Sequence, residues 1–193
     1  AGSASWLDDY ALFEALGERF EGAPWWRWPA AYRDRHPGAL AEAHDTLAAR
    51  VQRCRLEQWQ FDWQWRALRR YATERRVSVI GDLPIYVAPD SASTGAHREQ
   101  FQLREDGTPA ALAGVPPDYF SADGQLWGNP LYNWDAHEAE GYAWWISRLR
   151  ANFSLCDIVR IDHFRGFDTY WSIPAGAVNA RTGRWAPGPG LKF

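Results

Sequence analysis

The stretch CDIVRIDHFRGFDTYW, residues 156–171, places a carboxylate directly after a β-branched apolar run. The run at 158–161 is typical of a buried strand, and Asp162 follows at its end. Arg160 projects to the same face as Asp162, because side chains two residues apart on a strand share a face. The pattern predicts either a functional carboxylate kept ionised by a guanidinium or a structural ion pair at a strand end.

A second stretch repeats this layout. The helical tract RRYATERR precedes the β-branched VSVI at 77–80, which is followed by Gly81 and Asp82. In the same way, WWISRLRANF at 144–153 is predicted as an amphipathic helix that precedes the strand at 158–161. Two helix–strand–acid units in series predict an α/β fold with a parallel sheet. In a βα-barrel, catalytic residues lie at the carboxyl ends of strands. The alternative is that each Asp caps a helix or opens a turn.

These patterns divide the chain into four parts. Residues 1–76 are mainly helical, 77–82 form a strand that ends in Asp82, 83–141 form a long loop, and 142–193 contain a helix, a strand ending in Asp162 and a following loop. A loop of this length is uncommon unless it is functional or disordered, and its many aromatic residues argue against disorder. The sequence therefore predicts a loop that covers a site.

Helical periodicity is clear in the first part. Residues 6–17 predict a short helix that ends at Gly17, and apolar positions from Leu40 to Leu68 recur at steps of 7, 4 and 3. Trp59 and Trp63 add apolar area on another face. The later part of this tract is therefore expected to be buried on more than one side.

Composition excludes several classes of protein. The 193 residues carry 21 basic and 24 acidic side chains, so bulk charge attracts neither nucleic acid nor an anionic membrane. No apolar stretch approaches the roughly 20 residues that span a bilayer. Two distant cysteines, Cys54 and Cys156, favour a reducing cytoplasm over a disulfide framework. The five histidines have neither the spacing nor the neighbouring cysteines of a metal site, so no metal or other cofactor is expected.

Sugar chemistry fits the remaining features. The chain has 13 Trp, 8 Tyr and 9 Phe, and aromatic rings stack on the C–H faces of sugars, although many also fill a core. Cleavage of a glycosidic bond needs one carboxylate to meet the developing oxocarbenium ion and a carboxylic acid to protonate the leaving oxygen. Asp162 suits the first role. His163 either donates a hydrogen bond to a sugar hydroxyl or only packs against Phe164.

Three stretches together resemble the amylomaltases, the bacterial 4-α-glucanotransferases. They are IGDLPIYVAPDSA (80–92), AGVPPDYFSADGQLWGNPLYNWD (113–135) and DIVRIDHFRGF (157–167), and WLDDYALF near the start is also similar. The resemblance runs along essentially the whole chain. It implies part of a (β/α)8 TIM barrel of the α-amylase superfamily type, with a long aromatic-rich insertion between two strands, and retaining transfer of α-1,4-glucan segments to the 4-hydroxyl of glucose or a glucan.

The resemblance also implies roles for individual residues. Asp162 matches the nucleophile that forms the covalent glucosyl-enzyme, Arg160 the arginine that orients it, and Asp82 a carboxylate near the cleaved sugar. Asp118, Tyr119 and Phe120 match a loop that folds over the acceptor. Gln125, Trp127 and Asn129 match a stretch that contacts the substrate.

The chain departs from the family pattern in three places. Gly95 replaces a common Trp, Pro89 replaces a common His, and the chain stops at GPGLKF, before the segment that resembles the acid/base Glu of the family. The chain is thus expected to be a central segment of the enzyme with little or no activity alone. An open piece of barrel would leave apolar faces exposed and favour self-association.

Three functions remain open at this stage. The first is glucan transfer with maltooligosaccharides and α-1,4-glucans as substrates. The second is a related glycoside hydrolase, which uses water as the acceptor. The third is a non-catalytic glucan-binding or structural segment.

Overall fold

The computed structural model describes residues 6–193, which form two compact units. Residues up to Leu68 together with Asp90–His97 make the first unit, and Arg69–Pro89 with Arg98–Phe193 make the second. The chain is a mixed α/β protein. Within the described residues, no helix combines the length and the apolar character that crossing a membrane would require.

The first unit is helical. Its helices are α1 (Leu7–Arg19), α2 (Ala30–Arg33), α3 (Pro37–Thr46), α4 (Ala48–Glu74, whose last turns belong to the second unit) and α5 (Ala92–Ala96). α1 runs past the predicted end at Gly17, because glycine weakens a helix without stopping it. Its inner face buries Ala11, Leu12, Ala15 and Leu16.

The long apolar tract forms helices, but its later part is not buried. A break at Leu47 separates α3 from α4, and on α4 Trp59 is 64% and Trp63 63% exposed. The expectation of burial on more than one side was therefore wrong for this chain. The 3.6-residue repeat specifies the helix, but a neighbouring element has to cover each face, and periodicity does not supply one.

The second unit carries two sheets. β1 (Ile80–Pro84) and β4 (Ile158–Asp162) pair in parallel, and helix α7 (Ala143–Leu155) precedes β4. The second sheet has the order β3-β2-β5-β6 and is antiparallel; its strands are β2 (Ala111–Val115), β3 (Gln125–Pro130), β5 (Thr169–Pro174) and β6 (Arg184–Pro187). Helix α6 (Trp134–Ala139) follows β3.

The antiparallel sheet differs from the sequence prediction. Residues 83–141 were predicted as a loop, yet they contain α5, β2, β3 and α6, and β5 and β6 lie in the segment predicted as the loop after Asp162. Glycines and prolines conceal these strands from pattern reading. A Cβ on Gly114 would lie 2.0 Å from the carbonyl oxygen of Gln125, so this glycine marks the close approach of β2 and β3.

A continuous aromatic core supports both sheets of the second unit. Its buried members include Leu83, Ile85, Tyr86, Phe101, Leu131, Tyr132, Trp145, Phe167 and Tyr170. Trp145 and Tyr132 are 0% and 1% exposed, and their ring centroids are 5.3 Å apart. This core fixes α7 beneath the parallel strands, and so fixes the strand ends that carry the acidic residues.

At the opposite end of the parallel strands, Asp157 holds their starts together. Its carboxylate accepts hydrogen bonds from the Val79 amide at 2.8 Å and from the Arg69 guanidinium at 2.5 Å. The Val79 hydrogen bond, followed by that from Arg69, lowers the pKa of Asp157. Two chain segments 78 residues apart are thereby set in register.

His137 makes the stability of this core depend on pH. It is fully buried, its Nε2 lies 3.1 Å from the Gln100 carbonyl oxygen, and burial lowers its pKa to about 4. Unfolded His137 binds a proton near pH 6.5, so the unfolded state holds more protons between pH 6.5 and 4. The free energy of unfolding should therefore fall by up to about 3 kcal/mol as pH drops through this window.

Urea denaturation at a series of pH values checks this prediction. His137→Gln keeps a hydrogen-bonding side chain but does not titrate, so it should flatten the dependence between pH 6.5 and 4. An equal slope in both proteins would contradict the role given to His137.

Candidate active site

Two adjacent strand ends bring Asp82, Arg160 and Asp162 together. In the parallel pair, Asp82 lies opposite Arg160, and Asp162 is the last residue of β4. The Arg160 guanidinium donates to Asp82 Oδ2 at 2.9 Å and to Asp162 Oδ1 at 2.6 Å. Arg160 therefore bridges both carboxylates, which agrees with the alternation read from the sequence.

The three side chains lie on an accessible face. Their exposed fractions are 56% for Asp82, 61% for Arg160 and 55% for Asp162. An exposed ion pair adds little to stability, usually about 1 kcal/mol or less. Stability therefore gives little reason for two exposed carboxylates to share one arginine.

His163 follows Asp162 in a left-handed conformation, with φ of 54°. This backbone turn directs the imidazole toward Trp127, whose ring centroid is 5.0 Å away at an interplanar angle of 88°. Burial lowers the pKa of His163, while the neighbouring Asp162 carboxylate raises it. Nε2 is buried and has no hydrogen-bond partner among the described residues.

Tyr86 completes a ring cluster that the sequence reading did not single out. Its ring centroid lies 6.2 Å from that of Trp127 and 6.3 Å from that of His163. Gly166 allows this approach, since a Cβ there would meet the Tyr86 hydroxyl at 3.5 Å and Ile85 at 2.6 Å. The sequence indicated Tyr86 only through its position, two residues after β1 ends.

The predicted acceptor loop presents two exposed rings. Tyr119 is 97% and Phe120 91% exposed, and their centroids are 5.6 Å apart at 89°. Asp118 is exposed as well, but its Oδ1 accepts hydrogen bonds from the amides of Phe120 at 2.9 Å and Ser121 at 2.8 Å. The carboxylate therefore shapes the turn that displays the rings.

The GQLWGNP stretch also uses its polar atoms internally. Asn129 Nδ2 donates to the Val87 carbonyl at 2.8 Å, and Trp127 Nε1 donates to Gln125 Oε1 at 2.9 Å. Asn129 thus ties β3 to the segment after β1. Trp127 remains 37% exposed, with its ring beside His163.

No cluster of His, Cys, Asp and Glu that could hold a metal ion occurs between residues 6 and 193. Both cysteines are free thiols in buried positions. The chemistry available to this face is that of carboxylates, a guanidinium, an imidazole and aromatic rings.

Comparison with known proteins places this arrangement in a family. A family model described as 4-alpha-glucanotransferase matches residues 1–193. The 4-alpha-glucanotransferase of Thermus thermophilus is 52% identical over 98% of this chain, and that of Synechocystis sp. is 49% identical over 98%. The chain spans 38% of the length of each of these relatives.

A solved structure agrees with the sequence matches. The amylomaltase from Streptococcus agalactiae in complex with acarbose superposes with a TM-score of 0.93 at 41% identity, covering 97% of this chain and 38% of that one. The sequence motifs and these matches identify the same group. The chain belongs to the 4-alpha-glucanotransferase family.

Proposed function

We propose that residues 1–193 form the nucleophile-bearing part of a retaining 4-α-glucanotransferase built on a (β/α)8 barrel, to which β1 and β4 contribute two strands. The observation that carries the proposal is the bridge from Arg160 to Asp82 and Asp162 at neighbouring parallel strand ends. Barrel enzymes collect their catalytic groups at this end of the strands.

Asp162 is the nucleophile in this proposal. One carboxylate oxygen bonds to the anomeric carbon of the donor sugar as the bond from that carbon to the leaving glucan oxygen breaks. The leaving oxygen takes a proton from a general acid. In the second step the 4-hydroxyl of an acceptor displaces Asp162 and gives up its proton to the same group, which restores the α-linkage.

The neighbouring residues support that step electrostatically. Arg160 fixes one Asp162 oxygen by a charge-assisted hydrogen bond, which leaves the other free to attack. Asp82, held by the same guanidinium, accepts hydrogen bonds from hydroxyls of the bound sugar. His163, which follows Asp162 directly, hydrogen-bonds another hydroxyl of the same sugar.

The exposed rings serve the acceptor side. Transfer prevails over hydrolysis only if water is excluded while a sugar hydroxyl is well placed. Tyr119 and Phe120 offer apolar faces for stacking on a glucan, on the turn that Asp118 shapes. Trp127 lines the site, Gln125 accepts a hydrogen bond from its indole, and Asn129 ties β3 to the segment after β1.

Loss of the Asp118 turn should loosen this loop measurably. Asp118→Ala removes two amide hydrogen bonds, worth about 1 kcal/mol each, so chymotrypsin should cleave after Tyr119 or Phe120 up to about 30-fold faster. Asp106→Ala is the matched control, because Asp106 accepts a similar hydrogen bond from the Thr108 amide in another turn. Equal cleavage rates in Asp118→Ala and the parent chain would contradict this account of the loop.

The substrates proposed are maltooligosaccharides and α-1,4-glucans such as those of starch, glycogen and maltose metabolism, in the cytoplasm and without a cofactor. The Streptococcus agalactiae relative binds acarbose, which makes that compound a suitable probe of the face around Asp162. The exposed apolar side chains of α4, among them Trp59 and Trp63, support self-association of the isolated chain.

Incubation with maltotriose tests the function. A transferase of the relatives' length that carries this segment should yield a ladder of longer maltodextrins, whereas glucose and maltose alone would mean hydrolysis. The isolated 193-residue chain should give little or no turnover, because both carboxylates of the site accept hydrogen bonds from Arg160 and neither serves as the general acid, whose loss costs about 10²- to 10⁴-fold. Binding of amylose without any turnover, even in the long protein, would favour a non-catalytic glucan-binding segment.

A further inference from the structure

Arg148 of α7 is a largely buried cation at the carboxyl end of β1. Its Nη2 donates to the Pro84 carbonyl oxygen at 2.6 Å, and its Nη1 donates to the Ile85 carbonyl oxygen at 2.8 Å. Nη1 also lies 3.1 Å from the Tyr132 hydroxyl, which itself donates to the Ile85 carbonyl at 2.5 Å. One guanidinium thus holds two successive carbonyls of the segment that leaves the strand.

Aromatic rings and neutral oxygen atoms surround the charge of Arg148. Its guanidinium carbon is 5.4 Å from the Trp144 ring centroid and 5.0 Å from that of Trp145. In the part of the chain that the structure describes, its partners are carbonyls, a hydroxyl and two ring faces rather than a carboxylate. A buried arginine is costly without a counter-ion, so this arrangement indicates that the planar guanidinium serves to hold the main chain in place.

The held segment leads directly to the ring cluster beside Asp162. Tyr86 follows Ile85, and its ring is stacked on Tyr132 with a centroid distance of 5.9 Å. The same Tyr86 ring lies against Trp127 and His163. Movement of the Ile85 carbonyl would therefore shift Tyr86 and, through it, the imidazole next to the nucleophile.

We propose that Arg148 is a positioning residue: by clamping Pro84 and Ile85 it sets the placement of Tyr86, and so of the His163 ring beside Asp162. The importance for catalysis rests on the proposed function, but the positioning itself does not. Arg148 acts through the main chain and through Tyr132 rather than on a substrate.

NMR of the 193-residue chain tests the placement without any glucan. In the parent, the His163 ring should show nuclear Overhauser contacts to Trp127 and a pKa below the usual value, because it is buried. In Arg148→Met the contacts should weaken, and the pKa should rise toward the ordinary value of a histidine, because the ring becomes less buried. Asp162 and Arg165, the charged groups that act on His163, are unchanged in this variant.

Two variants serve as controls. Arg150→Met removes an exposed arginine from the same helix and should leave His163 unchanged. Arg148→Lys keeps a charge but lacks the planar fork that spans two carbonyls, so it should give an intermediate shift.

A folded Arg148→Met chain with parent-like His163 contacts and pKa would overturn the proposal, even if its stability were lower. If Arg148→Met does not fold, Arg148→Lys takes its place, since a lysine cannot reproduce the two parallel hydrogen bonds to Pro84 and Ile85. An unmoved His163 in that variant would overturn the proposal equally. Failure of the maltotriose assay would bear on the proposed function alone.

Discussion

Replacing Asp162 by Asn should lower glucan transfer on the order of 10⁴-fold in a 4-α-glucanotransferase that carries this segment, because an amide cannot form the glucosyl ester. Binding of maltotriose should change far less, since Asn keeps the size of the side chain. The measurement is single-turnover disproportionation of maltotriose, together with labelling by a fluorinated glucosyl fluoride that traps the covalent intermediate.

Asp157→Asn is the matched control for this experiment. Asp157 comes just before the same strand and bonds the Val79 amide and Arg69, so its loss should lower stability but not the rate per folded molecule. A label found on any carboxylate other than Asp162 would remove the nucleophile assignment. So would transfer by Asp162→Asn within tenfold of the parent rate.

Trp145→Ala should destabilise the second unit by about 3–5 kcal/mol, the range for removing a buried aromatic side chain. The Trp145 side chain is fully buried and contacts Tyr132 at 5.3 Å and Phe167 at 5.1 Å between centroids, so its loss leaves a cavity that the rigid rings cannot fill. Urea denaturation followed by amide hydrogen exchange in β5 reports on this unit specifically.

Phe153→Ala on the same helix is the control for the cavity effect. Phe153 is 55% exposed, so its substitution should change the free energy of unfolding by about 0.5 kcal/mol or less. Comparable losses in the two variants would mean that helix α7, rather than its buried face, determines the stability of the unit.

Much of the geometry of the candidate site could be predicted from local sequence. A β-branched run that ends in an acid identified the strand before Asp162, and the two-residue alternation placed Arg160 on the same side. Both inferences depend only on neighbours in the chain. The strand bounds were approximate, since β1 covers Ile80–Pro84 rather than 77–82.

The antiparallel sheet could not be predicted in this way. β2 and β3 contain glycine and proline, which read as turn residues, and their pairing depends on contacts such as that of Gly114 with Gln125. The sequence also did not show that the side chains of Asp118 and Asn129 form hydrogen bonds with the main chain.

By itself, the sequence determined the helix–strand–acid units, the shared face of Arg160 and Asp162, and the family to which the motifs point. Only the tertiary structure decided that one guanidinium joins Asp82 to Asp162, that Tyr86 lies beside His163, and that Arg148 clamps the end of β1. The reason is physical: periodicity is set by the local backbone, whereas pairs 60 to 80 residues apart meet only when strands and helices pack.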